Sequence, residues 1–162
     1  MNKFLIMVSL LGCSLPITAV SAQSVNEEAA IIATIDALFE GLRKQDRAGL
    51  EAITVPGSLN ISSSPDNAGE VRLTVLGYQE LITALSRAGA ARIERYWDAT
   101  VLIQGSIAVF WAPYDFHIDG KFSHCGIDSF QLVKQEGKWL ISNLSWTREV
   151  ENCPESPLGP IN

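Results

Sequence analysis

Histidine and cysteine are the scarce residues of this chain, two and three respectively in 162 positions. Neither His117 and His124 nor Cys13, Cys125 and Cys153 fall at a metal-ligand spacing, so no metal centre is expected. Basic residues are also few, 12 against 18 acidic for a formal charge of −6. That balance argues against nucleic acid or an anionic membrane as a partner. A glycine-rich phosphate cradle and a nucleophile elbow are both missing, which removes the usual grounds for nucleotide binding or serine-type hydrolysis. No cofactor is implied, and no motif names a reaction. Beyond residue 22 no apolar run approaches the roughly 20 residues needed to span a bilayer.

What is present begins with a leader. Lys3, the apolar run Phe4 to Gly12, Pro16 and the small residues Val20-Ser21-Ala22 ahead of Gln23 form the pattern of a secretory signal peptide cleaved after Ala22. A lipoprotein reading through Cys13 competes, although Leu11 fits poorly beside the bond to be cut. The expected mature protein is periplasmic or secreted, free of the membrane after cleavage. Its formal charge is −7, because the leader carries one lysine and no acid. The chain divides into a leader over 1–22, one domain over 23–150 and a polar, proline-rich tail over 151–162. A chain of this length, 47% apolar, can build a single core. In an oxidising compartment Cys125 and Cys153 are expected to pair. The alternative is a buried free thiol at Cys125 with Cys153 loose.

From Val25 to Lys44 apolar residues recur at three and four positions, predicting a long amphipathic helix capped by Asn26. Asp46 caps a short second helix ended by Pro56. Two short strands follow, Leu59 to Ser62 and Val71 to Val75, around a turn at 64–69, and a third helix runs from Tyr78 to about Ala88. From Ile93 to Arg148 the pattern is four long strands joined by Gln104-Gly105, Asp119-Gly120 and Glu136-Gly137, each an Xaa-Gly step of the kind that closes short hairpins.

This order of elements resembles that of the nuclear transport factor 2-like superfamily, whose members include ketosteroid isomerase and scytalone dehydratase. The runs Ala108 to Phe116, Asp119 to Phe130 and Gly137-Lys138-Trp139 are similar to an exported, lumazine-binding-like branch of it. The resemblance implies an α+β cone, three helices covering a strongly curved antiparallel sheet, with a pocket inside. No catalytic residue of the isomerase or the dehydratase maps onto a matching motif, so none is carried over.

With two-residue turns and no bulges, strand positions summing to 209, 239 and 273 face each other across the three hairpins. Alternation then puts Arg95, Tyr114, Cys125 and Arg148 in one row on the helix-facing side, above Trp97, Ala112, Ile127 and Trp146. Arg95, Trp97, Tyr114, Trp146 and Arg148 would suit a flat, anionic small molecule. On the opposite face Asp115 and His124 become cross-strand neighbours, either a general base with its orienting carboxylate or a solvated surface pair. Three functions compete: a small-molecule-binding module, a cofactor-free dehydratase or isomerase using His124 and Asp115, and a structural or assembly module. The binding module is the leading reading, and a homodimer through the convex face is compatible with it.

Overall fold

The computed structural model describes residues 18–66 and 68–161, and the side chains from residue 25 onward. The predicted leader therefore lies mostly outside the described residues, as does Cys13. Three helices, α1 (Thr18–Lys44), α2 (Arg47–Ile53) and α3 (Tyr78–Leu85), accompany seven strands. These are β1 (Thr54–Pro65), β2 (Val71–Gly77), β3 (Arg92–Tyr96), β4 (Thr100–Gln104), β5 (Ile107–Ile118), β6 (Lys121–Gln135) and β7 (Lys138–Thr147). The first helix starts before the expected Asn26 cap, whereas Asp46 does cap α2, accepting from the Gly49 amide.

One mixed sheet runs in the order β2-β1-β7-β6-β5-β3, with β4 also paired to β5. All neighbours are antiparallel except β1 and β7. Helix residues Ile31, Ile35, Leu38, Phe39, Leu50 and Ile82 are buried against Phe110, Ala112, Phe130, Leu132 and Ile141 of the sheet. Phe39, Tyr96, Phe110 and Phe130 meet edge to face or tilted, at centroid distances of 5.1 to 6.1 Å. Such pairs add roughly 0.5 to 1.5 kcal/mol each beyond their area burial. From within α1, Glu27 accepts from Trp139 Nε1 at 2.8 Å and from Lys134 Nζ at 2.5 Å, tying the helix to the β6–β7 hairpin.

Asp119-Gly120 and Glu136-Gly137 have positive φ at both residues, the mirror-image turn whose twist suits a hairpin. The first loop sits one residue later than expected, at Gly105-Ser106, but this shifts the register by two and preserves the faces. Three one-residue irregularities do change them. Between Tyr96 and Thr100 an extra residue, with Asp98 at φ 47°, splits the expected first strand into β3 and β4. Register shifts also follow Phe116 in the β5–β6 pair and Gln131 in the β6–β7 pair. The expected sums of 239 and 273 hold at the two turns and fail beyond the bulges. Each bulge bends its strand and adds twist, which is how a flat meander becomes a cone.

Consequently Asp115 and His124 are not cross-strand partners: Asp115 pairs with Cys125 and His124 with Phe116. The interior face of β3 carries Glu94 and Tyr96 opposite Phe116 and Tyr114, and Arg95 lies opposite Asp115. On β6 the interior residues are His124, Asp128, Phe130 and Leu132, so Asp128 is buried beside Ala112 and Trp146. Cys125 and Cys153 are joined, with Cα atoms 5.9 Å apart, as expected.

Candidate functional site

The cone contains a cavity of about 130 Å3. Its apolar cover comes from Leu38 and Phe39 of α1 and Leu81, Ala84 and Leu85 of α3; the sheet contributes Glu94, Tyr114, Phe116, His124, Asp128, Phe130 and Trp146. Volumes near 150 Å3 hold a single benzene-sized molecule, so this cavity takes a compact ligand.

The chemistry lies in its acids. Asp128 is 2% exposed, and its Oδ2 receives no hydrogen bond from a fixed N–H or O–H donor among the described residues. Glu94 lines the same cavity, close enough to Asp128 for the two carboxyls to share a hydrogen bond. A carboxylate is an acceptor only, so such a bond requires a proton on one of the two. Burial, with mutual repulsion added, pushes Asp128 well above the usual carboxylate range. Burial likewise pushes Glu94 up to about 8. Both shifts run in the same direction, so the pair stays protonated on at least one carboxyl at neutral pH.

Tyr114 is 1% exposed and donates from its hydroxyl to the Thr147 carbonyl at 2.8 Å. Its ring lies against Gly126, where a Cβ would come within 2.8 Å of the ring and 2.1 Å of Thr147 O. Glycine at 126 is therefore a requirement of the close approach of β7 and the tyrosine. Burial raises the Tyr114 phenol far above its ordinary value, so it stays neutral. His124 stacks on Phe116, centroids 4.7 Å apart, and its Nδ1 is 3.0 Å from Ser123 Oγ. Burial first, then the positive charge of Arg148, lowers its pKa to about 4. The orienting carboxylate expected from Asp115 is not beside His124, which is a neutral imidazole.

Of the residues expected to bind a ligand, Tyr114 and Trp146 line the cavity. Arg148 is exposed beyond the end of β7, its charge felt by His124 and Tyr114. Arg95 lies on the other side of the sheet, donating to both carboxylate oxygens of Asp115 at 2.9 and 2.5 Å. Trp97 is half-buried beside the Asp98 kink, outside the core cluster that Trp146 packs against. The expected arginine rim is therefore divided between two faces. Glu94 and Asp128 were missed because faces were counted from the hairpin tips. Counting instead from Phe130 and Leu132, the strongest apolar alternation in β6, places Asp128 inside. Among the described residues no cluster of His, Cys, Asp or Glu could hold a metal.

Neither a family model nor a curated protein matches this chain. Solved structures do. A nuclear transport factor 2-like protein from Cytophaga hutchinsonii aligns with a TM-score of 0.63 at 17% identity, covering 76% of this chain and 98% of its own. The fold is the nuclear transport factor 2-like cone. A second such protein, from Shewanella baltica, gives 0.57 at 22% identity over 77% of this chain and 95% of its own. A provisionally assigned scytalone dehydratase from Novosphingobium aromaticivorans gives 0.63 at 11% identity over 88% and 99%. Neighbours of this fold also include a provisionally assigned ring-hydroxylating dioxygenase beta subunit, a range consistent with ligand binding or enzyme activity.

Proposed function

We propose that the cone binds a compact, largely apolar molecule carrying one carbonyl or hydroxyl group, and moves a proton on it without a cofactor, as an isomerase or dehydratase does. The observation that supports this is the Glu94–Asp128 pair, two carboxyls with raised pKa values on the wall of an apolar cavity, Asp128 buried and Glu94 half-buried. In that role the ionised member removes a proton beside the polar group while the protonated member donates to its oxygen. Tyr114 and His124, both neutral, suit a ligand without charge, which replaces the flat anion expected from an arginine rim. Positioned acid–base catalysis of this kind contributes about 100- to 10,000-fold.

The test is deuterium exchange alpha to the carbonyl of small cyclic ketones in D2O, followed by NMR, with Trp146 fluorescence reporting binding. The native protein should accelerate exchange, and Asp128→Asn and Glu94→Gln should each lose about 100-fold or more while still quenching Trp146. Binding with no exchange above solvent would leave a binding module and remove the catalytic reading. The disulfide suggests a non-cytoplasmic location, and together with the leader pattern supports export. No described helix is long and apolar enough to cross a membrane. A homodimer would use the open end of the convex face, where Val109, Trp111, Ser129, Gln131, Asn143 and Ser145 carry no charge in an acidic protein.

A further inference from the structure

The convex face is open at one end and covered at the other, and the cover is the C-terminal tail. After β7, Glu149 pairs with Cys125, and Cys153 is bonded to the Cys125 sulfur. The chain then crosses β6 and β5 to β3, where the Gly159 carbonyl accepts from Arg95 Nη1 at 2.9 Å. Pro154, Pro157 and Pro160 fall at every third position of this segment, and each fixes its own φ, so the crossing piece is stiff. A disulfide at one end and a guanidinium hydrogen bond at the other hold a stiff span.

What lies beneath is not a packed apolar surface. A cavity of about 400 Å3 separates the tail from the sheet, walled by Arg95, Asp115, His117 and Phe122 below and by Cys153 to Ser156, Gly159 and Pro160 above. Asp115 is 3% exposed and His117 8%, both polar and both under the span. Asp115 is satisfied by the two-pronged Arg95 contact. His117 is not: its Nδ1 has no hydrogen-bond partner among the described residues and stands 3.6 Å from Asp115 Oδ1. A buried imidazole whose Nδ1 has no partner among the described residues, beside an ion pair, is costly to keep covered. Nothing in the cone chemistry uses it.

We propose that residues 153–160 are a redox-latched strap, and that thiol–disulfide exchange at Cys125–Cys153 uncovers the Arg95–Asp115–His117 cluster without unfolding the cone. The step consumes a dithiol reductant. Two electrons and two protons pass to the protein, the Sγ–Sγ bond breaks, Cys125 and Cys153 become thiols, and the reductant leaves as its own disulfide. Cys153, half-buried where Cys125 is 6% exposed, is the sulfur an incoming thiolate reaches. With the latch open, the single Arg95 hydrogen bond is a weak tie for the span, and His117 is opened to solvent.

The two histidines report separately on the two sides of the sheet, which makes the test specific. The full chain is treated with diethyl pyrocarbonate, which acylates neutral imidazole, and both sites are quantified by peptide mass spectrometry. This is done for the oxidised protein, the dithiothreitol-reduced protein and a Cys153→Ser variant. His117 should react about tenfold faster or more in the latter two, as a locally opened site does. His124, inside the cone, should keep its oxidised rate. Unchanged protection of His117 in reduced protein whose two thiols titrate as free would overturn the strap, since packing alone would then hold the tail. Acceleration at His117 and His124 together would overturn it too, by making the disulfide a staple of the whole fold.

Discussion

At the scale of single residues, the paired carboxyls of Glu94 and Asp128 govern how the protein responds to pH. In the unfolded chain both ionise near their ordinary values, about 4. In the folded chain the pair holds a proton up to about pH 8. Between those limits the native state binds more protons than the unfolded one, so the contribution of the pair to stability falls as pH rises from about 4.5 to 8. The slope is at most about 1.4 kcal/mol per pH unit for each proton. Glu94→Gln keeps a neutral donor for Asp128 and cannot titrate. Urea unfolding at pH 5, 6.5 and 8 should show a shallower decline for the variant and greater stability than the native protein at pH 8. Parallel curves for the two proteins would mean that Glu94 and Asp128 do not share a proton.

At the scale of elements, three bulges decide which residues meet. The shift after Phe116 is the most consequential, because it turns His124 into the cone and leaves Asp115 outside with Arg95. NMR titration of the His124 imidazole checks this register directly. Its midpoint should lie well below the ordinary 6.5, at about 4. Asp115→Asn should leave it unchanged, whereas Arg148→Ala should raise it by removing a nearby positive charge. The sign for stability follows: a depressed imidazole pKa means that the unfolded chain takes up the proton first, so stability is lost as pH falls from about 6.5 to 4. A midpoint that drops on Asp115→Asn would restore the bulge-free pairing. The Ser123 and Ser142 positions at these bulges carry no sequence signal of their own, being small polar residues acceptable in either register.

At the scale of the whole molecule, the convex face has two halves with different fates. The tail covers the half near the Asp119-Gly120 turn, and the half around Trp111, 51% exposed, is open. Nearby Leu102 and Ile107, 65% and 59% exposed, extend an apolar surface large enough to matter for association. Analytical ultracentrifugation of Trp111→Glu against the native protein tests the dimer. The native chain should sediment as twice its mass and the variant as a monomer, with the cone intact by circular dichroism. A native monomer at tens of micromolar would remove the dimer.

Taken alone, the sequence determined the order of the elements, all but the division of one strand into β3 and β4, because hydrophobic period, caps and Xaa-Gly turns act over a few residues and are written locally. It also pointed to the cysteine pair, since Cys125 and Cys153 are the two cysteines beyond the expected leader. The two lower hairpin registers were legible next to their turns for the same reason, φ being positive at Asp119, Gly120, Glu136 and Gly137. Beyond the bulges nothing local specified the register. There the choice of face was made by packing: Phe110, Phe130 and Leu132 had to reach α1, and a one-residue slip is the smallest change that turns a whole strand. That slip carried Asp128 and His124 inside, and the reversal at Asp98 brought Glu94 to meet them. The site exists because curvature closes a distance that no spacing in the chain encodes.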